Sequence, residues 1–231
     1  MDALARLEPV AHDLLRRVDG SLVTLGAPPE HPVWPLLRRL GATPADALAF
    51  FVGVDEGPVR AAAASLRDRA EAYEAAAIPT GPPWRGTAAE AFAAYAADLR
   101  GHLAGGSGRG EDSMSARLRA TAACLEEVAD WCRRSRDGLA RTLAEILASA
   151  QAVTVRSHPD LSGFASAAVR VPVAAVAAAA DIGARVLAAA AEAVADGEAL
   201  DRRWRPGLQE LAFRRTGAGV RLDDTIEVHP A

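Results

Sequence analysis

Apolar residues recur at alternating spacings of three and four over the second half of the chain, and this repeat constrains the fold more than any other sequence feature. One such repeat spans residues 118–153, and a more regular one spans 173–194. This spacing places an apolar stripe along an α-helix, and helices with such stripes pack at shallow crossing angles in bundles and coiled coils. The predicted fold is therefore all-α, an elongated antiparallel helical bundle.

Alanine supplies much of the apolar character of the chain. Half of the 231 residues are hydrophobic, but only 5% are aromatic. Alanine favours the helix and allows close helix–helix approach, whereas it buries little area at about 25 cal/mol per Å². The composition thus predicts long, thin, tightly packed helices rather than a thick globular core.

The N-terminal part, residues 1–56, is predicted to be helical but broken. Leucines and valines at helical spacing indicate a helix over 2–18, and prolines interrupt the pattern between 26 and 32. Thr43-Pro-Ala-Asp46 then reads as a new helix start, with threonine as N-cap, proline at the first helical position and aspartate in the first turn.

A proline-rich turn between two amphipathic segments predicts a helical hairpin over 57–104. The first helix should run from Gly57-Pro58 to Ala77, and the prolines between 79 and 83 end it. Thr87-Ala-Ala-Glu90 matches a capping box that starts the second helix. The expected apolar face of that helix consists of Ala88, Phe92, Tyr95, Leu99 and Leu103. A short, capped connection between facing stripes favours an antiparallel pair.

Three parts are predicted along the chain. They are an N-terminal segment at 1–56, a bundle at 57–204 and a tail at 205–231. After the hairpin and a glycine-rich link at 101–110, the bundle is predicted to hold two long helices, at 112–156 and 165–204. A kink is expected at Arg136–Gly138, where a charge interrupts the repeat. The tail alternates apolar and polar residues around Asp223–Thr225, which favours a short β hairpin or edge strand, with an irregular tail as the alternative.

Charge and cysteine content narrow the classes of partner. The net charge is −4, and all 26 basic residues are arginines scattered along the chain, so no nucleic-acid partner is expected. Cys124 and Cys132 would lie about 12 Å apart along one helix, too far to bridge each other. They are expected to be reduced, with an intermolecular disulfide as the alternative.

The apolar segments predict neither a signal peptide nor a transmembrane segment. The first twenty residues are charged throughout and lack an apolar core. The run at 171–180 is interrupted by Asp181 and Arg185 before it reaches the roughly 20 residues that a membrane span needs. A soluble chain is the expectation.

No catalytic or ligand-binding motif is recognisable. The five histidines are dispersed without metal-ligand spacing, and His102 is expected to complement the end of a helix. The GGSGRG stretch lacks the preceding strand and the Lys-Ser/Thr pair of a phosphate loop. We therefore predict a protein that is not an enzyme and that uses no metal and no cofactor.

The turn sequence resembles a known family. Trp84-Arg85-Gly86 between two amphipathic helices, followed by Thr87–Phe92, is similar to the WXG100 (ESX) superfamily of helical-hairpin proteins. These are substrates and partners of type VII secretion in actinobacteria and relatives. Residues 58–104 carry the resemblance, and the longer helices after them resemble the plan of the larger PPE and EspB-like members.

The resemblance implies a non-enzymatic substrate or partner of a type VII secretion system, secreted or held at the cell envelope without a classical signal peptide. Trp84 and Gly86 would form a tip that another helical protein or the secretion machinery recognises, with Phe92 and Tyr95 supporting it. The partner would be a WXG- or PE-like protein, or a second copy of the chain. On purely structural grounds, Trp84 would instead cover the open end of the hairpin.

One feature of the family is missing from the helices that resemble it. Its export signal usually includes Tyr-x-x-x-Asp/Glu, but Tyr73 is followed four residues on by Ala77, and Tyr95 by Leu99. A partner would then have to supply the signal. Two alternatives stay open: a cytoplasmic adaptor or chaperone for a neighbouring secreted toxin, and an oligomeric ring or pore-forming protein at the envelope.

Overall fold

The computed structural model describes residues 2–76, 85–105, 112–158 and 172–208, and all regular elements within these ranges are helical. The helices are α1 (Ala3–Thr24), α2 (Val33–Leu40), α3 (Pro44–Gly53), α4 (Glu56–Ala75), α5 (Thr87–Ala104), α6 (Met114–Leu147), α7 (Ala150–Arg156) and α8 (Val173–Trp204), followed by a 3₁₀ turn at Arg205–Leu208. The predicted all-α class is confirmed for this part of the chain. The predicted β tail lies almost wholly beyond it, from residue 209 onward.

The start of α3 confirms the predicted helix signal. Thr43 is the N-cap, and its side chain accepts a hydrogen bond from the backbone N–H of Asp46 at 3.2 Å. The Asp46 carboxylate in turn accepts from the backbone N–H of Thr43 at 3.2 Å, which completes a capping box. A local sequence signal is sufficient here because all of its partners lie within four residues.

The start and the end of α5 differ from the prediction. Gly86, not Thr87, is the N-cap, and no side chain caps the helix, so the predicted capping box at Thr87–Glu90 is wrong. The physical reason is the backbone of Gly86, whose φ of +108° is rarely adopted by residues with side chains. At the other end, α5 continues to Ala104, so Gly101 is helical and not part of the link.

The long helices also differ in detail from their predicted bounds. Helix α6 runs unbroken through the expected kink at Arg136–Gly138 and ends at Leu147. Ser149 then starts α7, because its hydroxyl accepts from the Ala152 N–H at 3.2 Å and donates to the Ile146 carbonyl at 2.6 Å. The predicted helix at 112–156 is therefore two helices. Helix α8 ends at Trp204, which is the predicted end of the second long helix.

The contacts group the chain into two compact units that do not follow chain order. Unit 1 comprises residues 1–60 and 126–203, and unit 2 comprises residues 61–125 and the chain from 204 onward. The predicted N-terminal segment therefore shares one core with the second half of the chain. The largest fully buried side chains of unit 1 are Leu4, Leu14, Leu15, Val18, Val33, Leu48, Leu143, Ile146, Val155, Ile182 and Leu187.

Helices α6 and α8 run antiparallel in unit 1. Glu145 on α6 pairs with Arg185 on α8 at 3.0 Å, and Trp131, further back on α6, donates from its indole Nε1–H to the Ala193 carbonyl at 2.8 Å. Contacts that move back along α6 thus move forward along α8. The antiparallel part of the bundle prediction is confirmed for this pair.

Glycine allows α8 to approach the N-terminal helices closely. A Cβ on Gly183 would lie 3.2 Å from a methyl carbon of Leu22 and 3.3 Å from one of Val18, both on α1. It would also lie 3.4 Å from Pro44 of α3. These distances are shorter than normal carbon–carbon contacts of about 3.5–4.0 Å, so the packing of α1 and α3 on α8 depends on the missing side chain.

By length and composition, Val173–Leu208 could cross a membrane. However, 56% of its most apolar stretch is buried within the protein. Core helices of water-soluble proteins meet the same two criteria, because a helix that is apolar on all sides is also what a buried position requires.

Alanines form the buried face of α4 and α5 in unit 2. Ala63 and Ala70 are the buried residues of α4, and Ala89 and Ala96 are those of α5. In both helices the two alanines are seven residues apart, which places them on one face. Small residues at this spacing fit the close helix packing that the composition predicts.

The C-terminal ends of α4 and α5 both reach the N-terminal part of α6. The Ser115 hydroxyl donates to the Ala104 carbonyl at 3.4 Å, and the Arg119 guanidinium, one turn further along α6, donates to the Glu74 carboxylate. Two helices of this length lying side by side and antiparallel would separate these two ends by about 25 Å at 1.5 Å per residue. The contacts therefore do not fit the predicted antiparallel pairing of α4 with α5 over 57–104.

Candidate functional site on helix α5

The predicted recognition residues are only partly within the described chain. Trp84 lies outside the described residues, whereas Gly86, Phe92 and Tyr95 lie within them. Gly86 directly precedes α5, and Phe92 and Tyr95 are three residues apart on α5, so they are neighbours on its surface. The structure thus brings together two of the four predicted residues.

The face of α5 that is buried is not the predicted one. The predicted stripe through Phe92 and Tyr95 lies about 70° around the helix from the face of Ala89 and Ala96, at 100° per residue. Phe92 retains 38% and Tyr95 retains 41% of its surface exposed. The alanine face packs inward, and the aromatic pair forms the edge between that face and solvent.

Helix α4 shows the same arrangement. Tyr73 of α4 is 38% exposed, whereas Ala63 and Ala70 are buried. Aromatic rings with both apolar and polar edges are frequent anchors of protein interfaces. We define the α5 aromatic edge as Phe92 and Tyr95 and use this name below.

The end of α4 is held to α6 by an ion pair. Both guanidinium nitrogens Nη1 and Nη2 of Arg119 donate to the Glu74 carboxylate. This hydrogen bonding holds the pKa of Glu74 below its ordinary value and raises the pKa of Arg119. Two residues earlier on α6, the Arg117 guanidinium donates to the Gly207 carbonyl. The N-terminal part of α6 thus anchors several chain ends of unit 2.

Several surface grooves of unit 1 are lined by charged residues. One, of about 610 Å³, lies over Trp131 and is lined by Arg134, Asp196 and Arg203 among others. Another, of about 530 Å³, lies beside Arg136. Among the described residues, no group of three or more histidine, cysteine or carboxylate side chains is arranged to hold a metal ion.

Arg136 is a structural centre that sequence reasoning did not identify. Its Nη1 lies 2.6, 2.8 and 2.8 Å from the carbonyl oxygens of Phe51, Val52 and Val54, where α3 ends. Its Nε donates to Asp2 at 2.5 Å, and this hydrogen bond holds the pKa of Asp2 below its ordinary value. The only sequence signal is a charge at a position where the apolar repeat is broken.

Neither Cys124 nor Cys132 forms a disulfide. Cys132 is buried and Cys124 is partly exposed. Burial raises the pKa of the Cys132 thiol, because it disfavours the charged thiolate.

Comparison of the chain with protein-family models, with characterised proteins and with solved structures finds no match to any of the three.

Proposed function

We propose that this chain is a non-enzymatic helical protein that acts by binding another helical protein through the α5 aromatic edge. In the form that the resemblance implies, it is a substrate or partner of a type VII secretion system. The single observation that carries the proposal is the exposure of Phe92 and Tyr95 beside a buried alanine face.

Two features support this surface as a binding site. Phe92 and Tyr95 provide adjacent apolar area that is only partly covered within the chain, and aromatic residues dominate the energetics of many interfaces. Gly86 directly before α5 has a φ of +108°, which explains why the Trp-x-Gly sequence needs glycine at this position. Both features belong to the segment that resembles the WXG100 superfamily.

The pairing of α4 with α5 as a recognition hairpin is not needed for this proposal. The N-terminal part of α6 contacts Ala104 through Ser115 and Glu74 through Arg119, which argues against a side-by-side antiparallel hairpin of full length. We therefore assign recognition to α5 and to the turn at Gly86. A helical partner is favoured because the edge runs along a single helix, where residues three or four apart form a continuous strip.

An export assay tests the proposal. The chain is expressed in an actinobacterial host with and without the type VII ATPase, and culture supernatants are compared by blotting. We expect export only with the ATPase, and loss of export when Phe92 and Tyr95 are both replaced by alanine. The buried residues Ala89 and Ala96 are unchanged in that variant, so the fold should persist.

A matched control uses an equally apolar surface residue elsewhere. Phe50 on α3 is 59% exposed and belongs to unit 1. Phe50→Ala should leave export unchanged. Export that does not depend on the ATPase would refute the secretion function, and equal loss in the Phe50 variant would refute the assignment to the α5 aromatic edge.

A cytoplasmic adaptor or chaperone is the second candidate. The absence of Tyr-x-x-x-Asp/Glu after Tyr73 and Tyr95 favours it, and so does the finding that Cys124 and Cys132 form no disulfide. In this case the protein would remain in the cell, bound to the product of a neighbouring gene. Co-purification of that product with wild type, and not with the Phe92/Tyr95 double variant, would support this function.

A further inference from the structure

Three oxygen atoms form a hydrogen-bonded row where α1 meets the start of α3. Oδ2 of Asp19, on α1, lies 2.8 Å from Oγ1 of Thr43. The same Oγ1 lies 2.9 Å from Oδ2 of Asp46. Both distances are in the range of O–H···O hydrogen bonds, so each of the two contacts requires a proton between its oxygens.

Counting protons shows that one is missing if both carboxyl groups are ionised. The Thr43 hydroxyl has one proton and two lone pairs, and an ionised carboxylate can only accept. The hydroxyl can therefore donate to Asp19 or to Asp46, but not to both. In the remaining contact, the Thr43 oxygen and a negatively charged carboxylate oxygen would then face each other with no proton between them.

One added proton on Asp19 satisfies the whole row. Oδ2–H of Asp19 then donates to Thr43 Oγ1, which donates to Asp46. Thr43 Oγ1 also accepts from the Asp46 backbone N–H at 3.2 Å. The hydroxyl thereby donates once and accepts twice, which uses its full hydrogen-bonding capacity.

Asp19 is the better place for this proton than Asp46. Oδ1 of Asp19 is buried and has no hydrogen-bond partner within the described ranges, so an ionised Asp19 would leave a buried charged oxygen unsatisfied. Asp46 is exposed and lies in the first turn of α3, where its carboxylate accepts from the Thr43 N–H. Its negative charge is thus stabilised where it is.

The titration of Asp19 agrees with this geometry. Burial raises the pKa of Asp19 from 3.8 to about 6, and the negative charge of Asp46 adds to the increase. Hydrogen bonds from Thr43 and from the Ala45 N–H, and the charge of His12, act in the opposite direction. The groups that raise the pKa prevail.

We propose that Asp19 and Asp46 share one proton through Thr43, and that the contact between α1 and α3 is therefore more stable at acidic than at neutral pH. A carboxyl group that binds its proton more tightly in the folded than in the unfolded chain stabilises the fold at low pH. The contribution is complete below the unfolded pKa of 3.8, and it is lost as pH rises through about 6. This regulation is independent of any partner.

A carboxyl titration tests the proposal directly. Carbon-13 NMR of the side-chain carboxyl groups follows Asp19 in the intact chain, and Asp19→Asn identifies its signal. We expect a midpoint near 6 in wild type. In Asp46→Asn the midpoint should fall, because the nearby negative charge is removed. A wild-type midpoint below about 4.5, as for an ordinary aspartate, would overturn the proposal.

Stability measurements provide the second test. Urea unfolding at about pH 5 and about pH 7.5 brackets the expected titration of Asp19. In Asp19→Asn the amide donates to Thr43 at every pH, so wild type should lose stability relative to this variant as pH rises. Asp13→Asn is the control, because Asp13 is an exposed carboxylate on the same helix, paired with Arg17. Asp13→Asn should keep the pH dependence of wild-type stability. The proposal would be refuted if Asp19→Asn kept the same pH dependence.

Discussion

Replacing Arg136 by alanine should be one of the most destabilising single changes on the surface of α6. Its side chain is only 13% exposed, and its guanidinium donates hydrogen bonds to the carbonyls of Phe51, Val52 and Val54 and to Asp2. These carbonyls belong to the end of a helix, where the backbone has no helical partner of its own.

The expected loss follows from the hydrogen bonds. Each bond to a charged group contributes about 1.5–3 kcal/mol, and one amino group has protons for two such bonds. The ion pair with Asp2, which is 39% exposed, adds up to about 1 kcal/mol. Water that enters the space left by Arg136 replaces part of this, so we expect Arg136→Ala to lower the free energy of unfolding by about 2–4 kcal/mol.

Urea unfolding followed by circular dichroism measures this difference, with Arg133→Ala as the matched control. Arg133 is 53% exposed, and its contact with Asp130 is 3.5 Å long, while Arg60 holds the same carboxylate at 2.8 Å. The control should therefore change stability by less than about 0.5 kcal/mol. Arg136→Lys should fall in between, because one ammonium lacks the planar fork. An Arg136→Ala loss no larger than that of the control would refute the capping role.

The loss of stability caused by Arg136→Ala is expected to depend on pH. The hydrogen bond from Arg136 holds the pKa of Asp2 below 3.8, so this pair stabilises the fold above that value. Its contribution is lost as pH falls through the lowered pKa. The difference between wild type and Arg136→Ala should accordingly narrow in acid below the unfolded value, and a constant difference would show that Asp2 contributes nothing.

Two further predictions concern glycines and thiols. Gly138→Ala should stabilise the protein by up to about 1 kcal/mol, because the added methyl group meets no atom within 4 Å apart from the adjacent helix backbone, and alanine favours the helix. Gly183→Ala should cost about 1–3 kcal/mol relative to Gly138→Ala, because its methyl group overpacks the contact with α1 and α3. Thermal unfolding compares the two variants, and equal effects would contradict the close packing of α8. Cys124 should react with a thiol reagent in the folded protein, whereas Cys132, 4% exposed and with a raised thiol pKa, should react only on unfolding. Equal reaction rates of the two thiols in native buffer would contradict the burial of Cys132.

Local signals in the sequence predicted much of the helical structure. The start of α3 at Thr43 was predicted correctly because both partners of its capping box lie within four residues. The buried face of the C-terminal half of α6 was also predicted correctly, since Leu139, Leu143 and Ile146 are all buried as the repeat indicates. Large aliphatic side chains bury much more apolar area than alanine, so their spacing identifies the face of a helix that packs inward.

The face of α5 could not be predicted in the same way. In an alanine-rich helix two neighbouring stripes are apolar, one of alanines and one with Phe92 and Tyr95, and periodicity does not distinguish them. Close helix approach selects the alanines, and that depends on the neighbouring helices. The same applies to Arg136 and to Asp19, whose partners are 24 to 134 residues away in the chain.

Unit 1 is formed by two segments that lie far apart in the sequence, residues 1–60 and 126–203, and this affects how the chain folds during synthesis. During synthesis, Leu14, Leu15 and Val18 leave the ribosome long before Ile182 and Leu187, with which they form one buried cluster in the folded protein. Contacts so distant along the chain form late and slow the folding of a domain. Until α8 has been translated, these side chains remain accessible to chaperones and to aggregation.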